Sequence, residues 1–576
     1  MKFVLGLYIK NKEFDYKALY NKIESVFLLK NKRSVSHLQI GNLHISYLNE
    51  SEVDVSQTFY HENNNGLAIL NGRLYIDDKN NVRTFFESCS KNKFKDIDKF
   101  EGNLNAIYYQ ENKEKLFLIS DSFGLYPLYY TDNKDYTVFC TEYEALISIF
   151  EKEEDIYSNQ EAIIQYFELG GVLPGNTFCK DIKTLLPGSI VEINNNKTKT
   201  QIWNKLNIKT NNDITITEAA QKLSLLIKDS IDRRINQAPE KYLFDLTAGL
   251  DTRLILSCLD ANFRKHSSFE TLLTPPLNEE NDKDVIIAKR LSEKAELLLT
   301  IFSFDDWDIE FDEDYFLRWR ELYYDKIRIK GLFGGEFMNG DCFRFLPDEV
   351  NLLLEKLCLT NSSSCKYKFL RKFTNFNIQN KRTQTLAEND YNPYKELQSI
   401  MELYQTQNKK LLFAIWHFSR SFFSAVYGGS RSIWAQPSSF LTKIDTPFLD
   451  KNVLNFLLSL PMEYLAGKES HDIYNLIYKT HFPEFNSIPT TSTLGNCDGN
   501  AIKYFNDGIE PKNARKPLYE KALNNYISDE QTWNKNIYNK AASLQILKGK
   551  ENNFTKSFID FEAYIRYLQK IIRNEP

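Results

Sequence analysis

One stretch limits what this chain can fold into more than any other: Tyr242-Leu243-Phe244-Asp245-Leu246-Thr247-Ala248-Gly249-Leu250-Asp251-Thr252-Arg253. Its apolar start reads as a buried strand. The run breaks at Thr247, Ala248 and Gly249, and a helical pattern resumes through Leu254, Ile255, Leu256 and Leu259. A strand, a turn of small residues and a helix start together make an anion site. The first N–H groups of a helix lack intrahelical partners, and its dipole favours negative charge. Gly249 lets the backbone approach a phosphate, and the hydroxyls of Thr247 and Thr252 add donors. Asp251 would repel that phosphate unless a cation lay between, and the natural cation is Mg²⁺. No Gly-Lys-Ser/Thr follows the glycine, so this is not a Walker-type loop. An ordinary strand, turn and threonine-capped helix fits the same residues.

At 576 residues the chain is too long for one core and fits two large domains or three smaller ones. A net charge of -5 argues against a nucleic-acid-binding surface. Eight cysteines without a Cys-x-x-Cys pair fit reduced intracellular thiols, and seven dispersed histidines give no metal-ligand spacing. The first apolar run is too short for a signal peptide, and no window is long enough to span a membrane. The expectation is a cytoplasmic protein with neither nucleic-acid nor membrane partners.

From Phe3 to about Tyr130, short apolar runs separated by Asn, Asp and Lys turns predict a β-rich domain with two or three helices, one over residues 16–29. Three pieces stand out: Asn71-Gly72-Arg73, Phe100-Glu101-Gly102-Asn103-Leu104, and residues 118–130, which end Pro127-Leu128-Tyr129-Tyr130. Each alone is ordinary turn chemistry. In order and spacing they resemble the glutamine amidotransferase domain of the asparagine synthetase family. Leu173-Pro174-Gly175 and Pro187-Gly188 resemble the family's link to its second domain. The loop Thr247 to Thr252 resembles the Ser-Gly-Gly-x-Asp-Ser phosphate loop of PP-loop ATP pyrophosphatases, with Thr247, Ala248 and Thr252 replacing Ser, Gly and Ser. Beyond it, the apolar run from Ser267 to Leu273 and the helix start at Asn281 predict a strand–helix–strand–helix unit, hence a parallel sheet.

The resemblance implies an α+β, Ntn-type β-sandwich over residues 1–205, amidotransferase-like. An α/β PP-loop ATP-binding domain with a parallel sheet would follow over 206–510, and a helical tail over 511–576 would pack on that synthetase domain. It implies ATP and Mg²⁺ as cofactors. Thr247, Gly249, Leu250, Asp251 and Thr252 would hold the phosphates, while Leu246 and Thr271 would meet the adenine through their backbones. A second glycine-rich loop, residues 329–340, would bring Gly331 to the nucleotide and Glu336 to the metal beside Asp251, with Asp341 as the fallback ligand.

Two departures from the family shape the expected chemistry. The family's glutaminase nucleophile is an N-terminal cysteine whose free amine is the base. This sequence starts Met1-Lys2-Phe3, has its first cysteine at Cys89, and carries Arg73 where a carboxylate would hold the glutamine ammonium. No glutamine hydrolysis is expected. The family also places a lysine late in the domain against the adenylated intermediate, where this chain has Thr493, so Lys503 and Arg253 are the candidate catalytic cations. Residues 351–439 match no family passage. The implied function is an ATP-dependent, AMP-forming amide-bond synthetase, resembling β-lactam synthetases and lasso-peptide cyclases in lacking glutaminase activity. Its substrate would be a small molecule or peptide with a carboxylate and an amine. The alternatives are an ammonia-dependent asparagine synthetase and a non-catalytic nucleotide-binding or assembly protein.

Overall fold

The computed structural model describes residues 4–29, 35–48, 60–63, 66–75, 81–90, 97, 100, 102–122, 124, 126, 128–169, 172–194, 197–204, 209–273, 276–303, 326–331, 334, 396, 399, 403, 443–461, 464, 470–491, 507–509, 516–534, 537–538, 540–547 and 553–573. The first half builds two antiparallel sheets from β1 (Val4–Ile9), β2 (Val35–Ile40), β3 (Leu43–Leu48), β4 (Tyr60–Asn63), β5 (Gly66–Leu74), β6 (Gly102–Gln110), β7 (Lys115–Ser120), β8 (Tyr129–Asp132), β9 (Tyr136–Cys140), β10 (Lys183–Thr184), β11 (Ser189–Ile193) and β12 (Thr198–Ile202). One sheet runs β10-β8-β9-β1-β3-β2, the other β12-β11-β7-β6-β5-β4. Asn71 and Gly72 lie inside β5, opposite Asn105 and Leu104, rather than in a turn.

The pleat of β1 shows how the layers stack. All six of its residues are buried. Val4 and Tyr8 enter the core between the sheets with Leu43, Ile107 and Leu118, while Leu5, Leu7 and Ile9 face a helical layer. A strand buried on both faces reads as a continuous apolar run, as this one does. The outer face of the other sheet is covered by the helix Asn81–Ser90 through Phe85, Phe86 and Cys89. The sandwich therefore has helices on both outer faces.

The tail, expected to pack on the synthetase half, has its last helix on the N-terminal sandwich instead. In the helix Asn553–Arg573, Phe558, Phe561, Tyr564, Ile565 and Leu568 share one core with Leu5, Leu7, Ile147 and Phe178 of the N-terminal sandwich. Gln569 and Arg573 seal the edge on Glu153 at 2.6 and 2.5 Å. An apolar stripe at helical spacing fixes that this helix is buried, but not against what.

The second half is one parallel sheet: β13 (Tyr242–Asp245), β14 (Ser268–Leu273), β15 (Leu299–Ser303), β16 (Ile327–Ile329) and β17 (Lys443–Asp445). Its order is β15-β14-β13-β16-β17, and every neighbouring pair is parallel. Helices Leu250–Cys258 and Lys283–Lys294 lie on the crossovers from β13 to β14 and from β14 to β15. On one face Phe244, Phe269 and Ile329 join Leu254, Ile287 and Val453 in a single core. Local signals set the helix starts: Thr215 and Glu218 form a capping box on Ile216–Arg234, and Asp450 caps Lys451–Ser459. Strands β14 and β15 are laid to one side of β13, and β16 begins on the other. Such a reversal opens a crevice beyond the carboxyl ends of the strands, where ligands bind in open α/β sheets.

Candidate functional site

The turn after β13 lies at that crevice. Leu246, fully buried, donates its N–H to the Glu270 carbonyl at 2.8 Å, adding one rung to the β13–β14 ladder. The chain then doubles back. Thr247 N–H donates to Thr252 Oγ1 at 3.1 Å, the two hydroxyl oxygens lie 3.2 Å apart, and Gly249 N–H donates to Thr247 Oγ1 at 3.2 Å. The threonines thus brace the loop as well as line it. Ala248 sinks its methyl into the core, gives its N–H to Asp284 Oδ1 at 3.3 Å, and receives the Thr490 hydroxyl on its carbonyl at 2.9 Å. That methyl explains why the loop tolerates alanine at this position. Gly249 is the N-cap of Leu250–Cys258 and offers no side chain to it, and the first N–H groups of a helix have no partner within the helix.

Asp251 is the focus of the site. The Tyr474 hydroxyl donates to its Oδ1, and the Tyr478 hydroxyl donates to the neighbouring Leu250 carbonyl. Burial, with the Asp251 carboxylate beside it, holds the Tyr478 hydroxyl well above its ordinary pKa, so it stays a donor. A second loop reaches Asp251 from the end of β16. A Cβ on Gly331 would lie 2.8 Å from Asp251 Cβ and 3.0 Å from Thr252 N, and one on Gly334 would lie 2.6 Å from Asp251 Oδ1. Only glycine permits both approaches. Loops from the two sides of the switch point therefore meet on one carboxylate. Glu336, Asp341, Thr493 and Lys503 lie outside the described residues.

Arg253, named from the sequence as a candidate catalytic cation, points to backbone carbonyls in this structure. Its guanidinium is fully buried and donates to the carbonyls of Ile488 and Pro489 at 2.6 and 2.7 Å. Burial holds its pKa down to about 10. The residue anchors the 482–490 segment to the helix behind the loop. Thr271 sits in β14, buried, with its hydroxyl lacking a hydrogen-bond partner among the described residues.

The residue that sequence reasoning passed over is Lys330. It directly follows β16, and its ammonium lies 3.9 Å from Asp245 Oδ2. Arg328 bridges Asp245 Oδ1 at 2.5 Å and Glu270 Oε1 at 3.0 Å on the same face. Burial, then the Arg328 charge, pull the Lys330 pKa down to about 8. The available signal was its place between an apolar strand and Gly331. No group of three or more His, Cys, Asp or Glu arranged to hold a metal occurs among the described residues. Two features fit a magnesium-bound nucleotide: a glycine cradle on Asp251, and an orphaned hydroxyl at Thr271. No helix among the described residues is long and apolar enough to cross a membrane.

Comparison with known proteins finds the following similarities. A family model described as "Glutamine amidotransferase domain" matches residues 86–204. Glutamine-hydrolyzing asparagine synthetase 2 of Bacillus subtilis is 24% identical over 237 residues, which are 35% of this chain and 30% of that protein. Putative glutamine-hydrolyzing asparagine synthetase 1 of Methanocaldococcus jannaschii is 24% identical over 210 residues, covering 35% of this chain and 34% of its own length. The chain thus matches about a third of the length of each relative. The B. subtilis glutamine phosphoribosylpyrophosphate amidotransferase structure, complexed with ADP and GMP, aligns over 57% of this chain and 74% of its own. At 12% identity and a TM-score of 0.23, it carries no argument. Residues 86–204 of the N-terminal sandwich match a glutamine amidotransferase domain, a parallel sheet follows them, and the two relatives support a place for this chain near the asparagine synthetase family.

Proposed function

We propose that the chain is an ATP-dependent, AMP-forming amide-bond synthetase that does not hydrolyse glutamine. One observation carries this reading: two loops from opposite sides of a parallel-sheet switch point close on Asp251 at the start of a helix with a glycine N-cap. That arrangement suits a PP-loop nucleotide site. The helix start and the Thr247–Thr252 loop would take the phosphates, and Leu246 and Thr271 would line the adenine. Asp251 and Glu336 would hold Mg²⁺, which supplies charge neutralisation at the phosphates. In the reaction, a substrate carboxylate oxygen bonds to the α-phosphorus as pyrophosphate leaves. An amine then attacks the acyl carbon, AMP leaves, and the amine proton passes to solvent or base. The chain's own contribution is to hold the reacting groups in line on a rigid strand-end scaffold.

Among the described residues, the state of the four cysteines is in keeping with an absence of glutaminase chemistry. Cys89, Cys140, Cys179 and Cys258 are all buried, and burial raises each thiol, Cys179 to about 11 and Cys258 to about 12. Such thiols are poor nucleophiles. In lacking this activity the chain would parallel β-lactam synthetases and lasso-peptide cyclases. Its partner would be a small molecule or peptide bearing a carboxylate and an amine, met in the cytoplasm. The two relatives are glutamine-hydrolyzing asparagine synthetases, and they suggest a second reading, an asparagine synthetase that in the absence of glutamine hydrolysis would take ammonia directly.

Exchange of labelled pyrophosphate into ATP, run against a panel of carboxylates, tests the proposal. Exchange that depends on one carboxylate supports it. Exchange with aspartate, and asparagine formed from ammonia, supports the second reading. ATP binding without exchange from any carboxylate would leave a nucleotide-binding protein that is not an enzyme.

A further inference from the structure

Lys330 stands at the switch point itself. Its amide donates to the Asp445 carbonyl at 2.9 Å, so its backbone is fixed by the β16–β17 ladder. The pleat turns it to the face shared by Arg328, Asp245 and Glu270, away from Ile329 and the apolar core. There Arg328 lies 2.5 Å from Asp245 and 3.0 Å from Glu270, and the Lys330 ammonium lies 3.9 Å from Asp245. The next residue, Gly331, is pressed against Asp251 and Thr252. A lysine is thus mounted on a rigid strand end, one residue from the phosphate-type loop.

We propose that Lys330 contacts a phosphate of the bound nucleotide and is a binding residue of the site. The inference rests on the nucleotide reading of the Thr247–Thr252 loop. Its driving force is electrostatic. Burial and the neighbouring Arg328 charge disfavour the ammonium, lowering its pKa to about 8, and a phosphate arriving at the crevice would favour the charged form again. A group of that kind gains more from an anionic ligand than a solvated surface lysine does. The competing role is purely structural: Lys330 and Arg328 together balance Asp245 and Glu270.

Calorimetry on the full chain separates the two, using Mg-ATP, AMP and adenosine as probes with the parent, Lys330→Gln and Lys330→Arg. The phosphate contact predicts that Lys330→Gln weakens ATP and AMP by about tenfold or more, and leaves adenosine within about twofold. Equal ATP affinity in Lys330→Gln and parent, even with a lowered melting temperature, would assign the residue to charge balance and overturn the inference alone. Equal losses for ATP, AMP and adenosine would also overturn it, because they report a collapsed site. A parent that binds none of the three removes the nucleotide reading, and this inference with it. Should Lys330→Gln not fold, Lys330→Arg keeps the charge but moves it. The ratio of ATP to adenosine affinity must then change by about threefold or more, and an unchanged ratio rejects the contact.

Discussion

The Tyr75 hydroxyl donates to Asp445 Oδ2 at 2.6 Å, a buried bond between residues 370 positions apart. The same ring lies beneath the Arg234 guanidinium, 4.1 Å from its centroid. Arg234 in turn donates to Asp445 Oδ1 at 3.0 Å and to Asp450 Oδ2 at 2.9 Å. The Asp445 carbonyl holds the Lys330 amide. A tyrosine at the end of β5, in the amidotransferase-type sandwich, is therefore bonded to the strand ends that carry the candidate site.

Tyr75→Phe keeps the ring under Arg234 and removes only the hydroxyl. A lost hydrogen bond to a carboxylate, with its acceptor still buried, costs about 1.5–3 kcal/mol. Urea unfolding should show that loss. An unchanged midpoint would mean the two halves do not depend on this bond.

Asp251→Asn removes the charge that a phosphate-bound cation needs and keeps an oxygen for the Tyr474 hydroxyl. Calorimetry should show Mg-ATP binding weakened by about a hundredfold, while the melting temperature stays near the parent's. Tight Mg-ATP binding by the variant would contradict the metal role.

Gly334→Ala would place a carbon 2.6 Å from Asp251 Oδ1 and 2.9 Å from Phe448 Cε2. Forcing that overlap apart should cost about 1–3 kcal/mol and also reduce Mg-ATP affinity, because the carboxylate must move. A variant as stable as the parent, with parental affinity, would show that the loop is not held on Asp251.

Purified protein should release no glutamate from glutamine above background, with or without ATP. Release that scales with enzyme concentration would reveal a nucleophile other than the buried thiols of Cys89, Cys140, Cys179 and Cys258.

Lys330 also has a signature in stability. Its pKa is about 8 folded against an ordinary value of 10.5. Between these values the unfolded chain binds more protons, so this residue's contribution to stability rises with pH across that window. Below about pH 8 its penalty is fully present. Relative to Lys330→Met, the parent should gain on the order of 1–3 kcal/mol between pH 8 and pH 10.5 in denaturant titrations. Parallel pH profiles for the two proteins would count against a buried, charge-strained lysine.

The strand, turn and helix around Asp251 were legible because each signal is local: an apolar run, small residues, then a helical period. The helix start near Asn281, capped by Asp282, was legible for the same reason. Arg253 was not, since a cation beside a phosphate loop looks identical in sequence whether it faces the ligand or, as here, two backbone carbonyls. Lys330 was hidden by the opposite default, because most lysines are solvated. Its burial comes from the sheet order, which joins β13 to β16 across more than eighty residues of sequence. Asn71-Gly72 carries a strong turn signal, yet pairing with β6 draws it into a strand.

The helix Asn553–Arg573 gives the chain an unusual order of assembly. Phe558, Phe561 and Ile565 belong to the same core as Leu5 and Leu7, and the Gln569 contact with Glu153 spans 416 positions. During synthesis, the apolar side of the helices Tyr143–Ile147 and Gln160–Leu169, which the last helix covers, must wait while the whole parallel-sheet half is made. Contacts of such sequence separation form slowly, and exposed surface of this kind invites aggregation. A ribosome-bound chain halted near residue 510 should therefore hold chaperones on its amino-terminal half, and release them only once the last helix has emerged to close it.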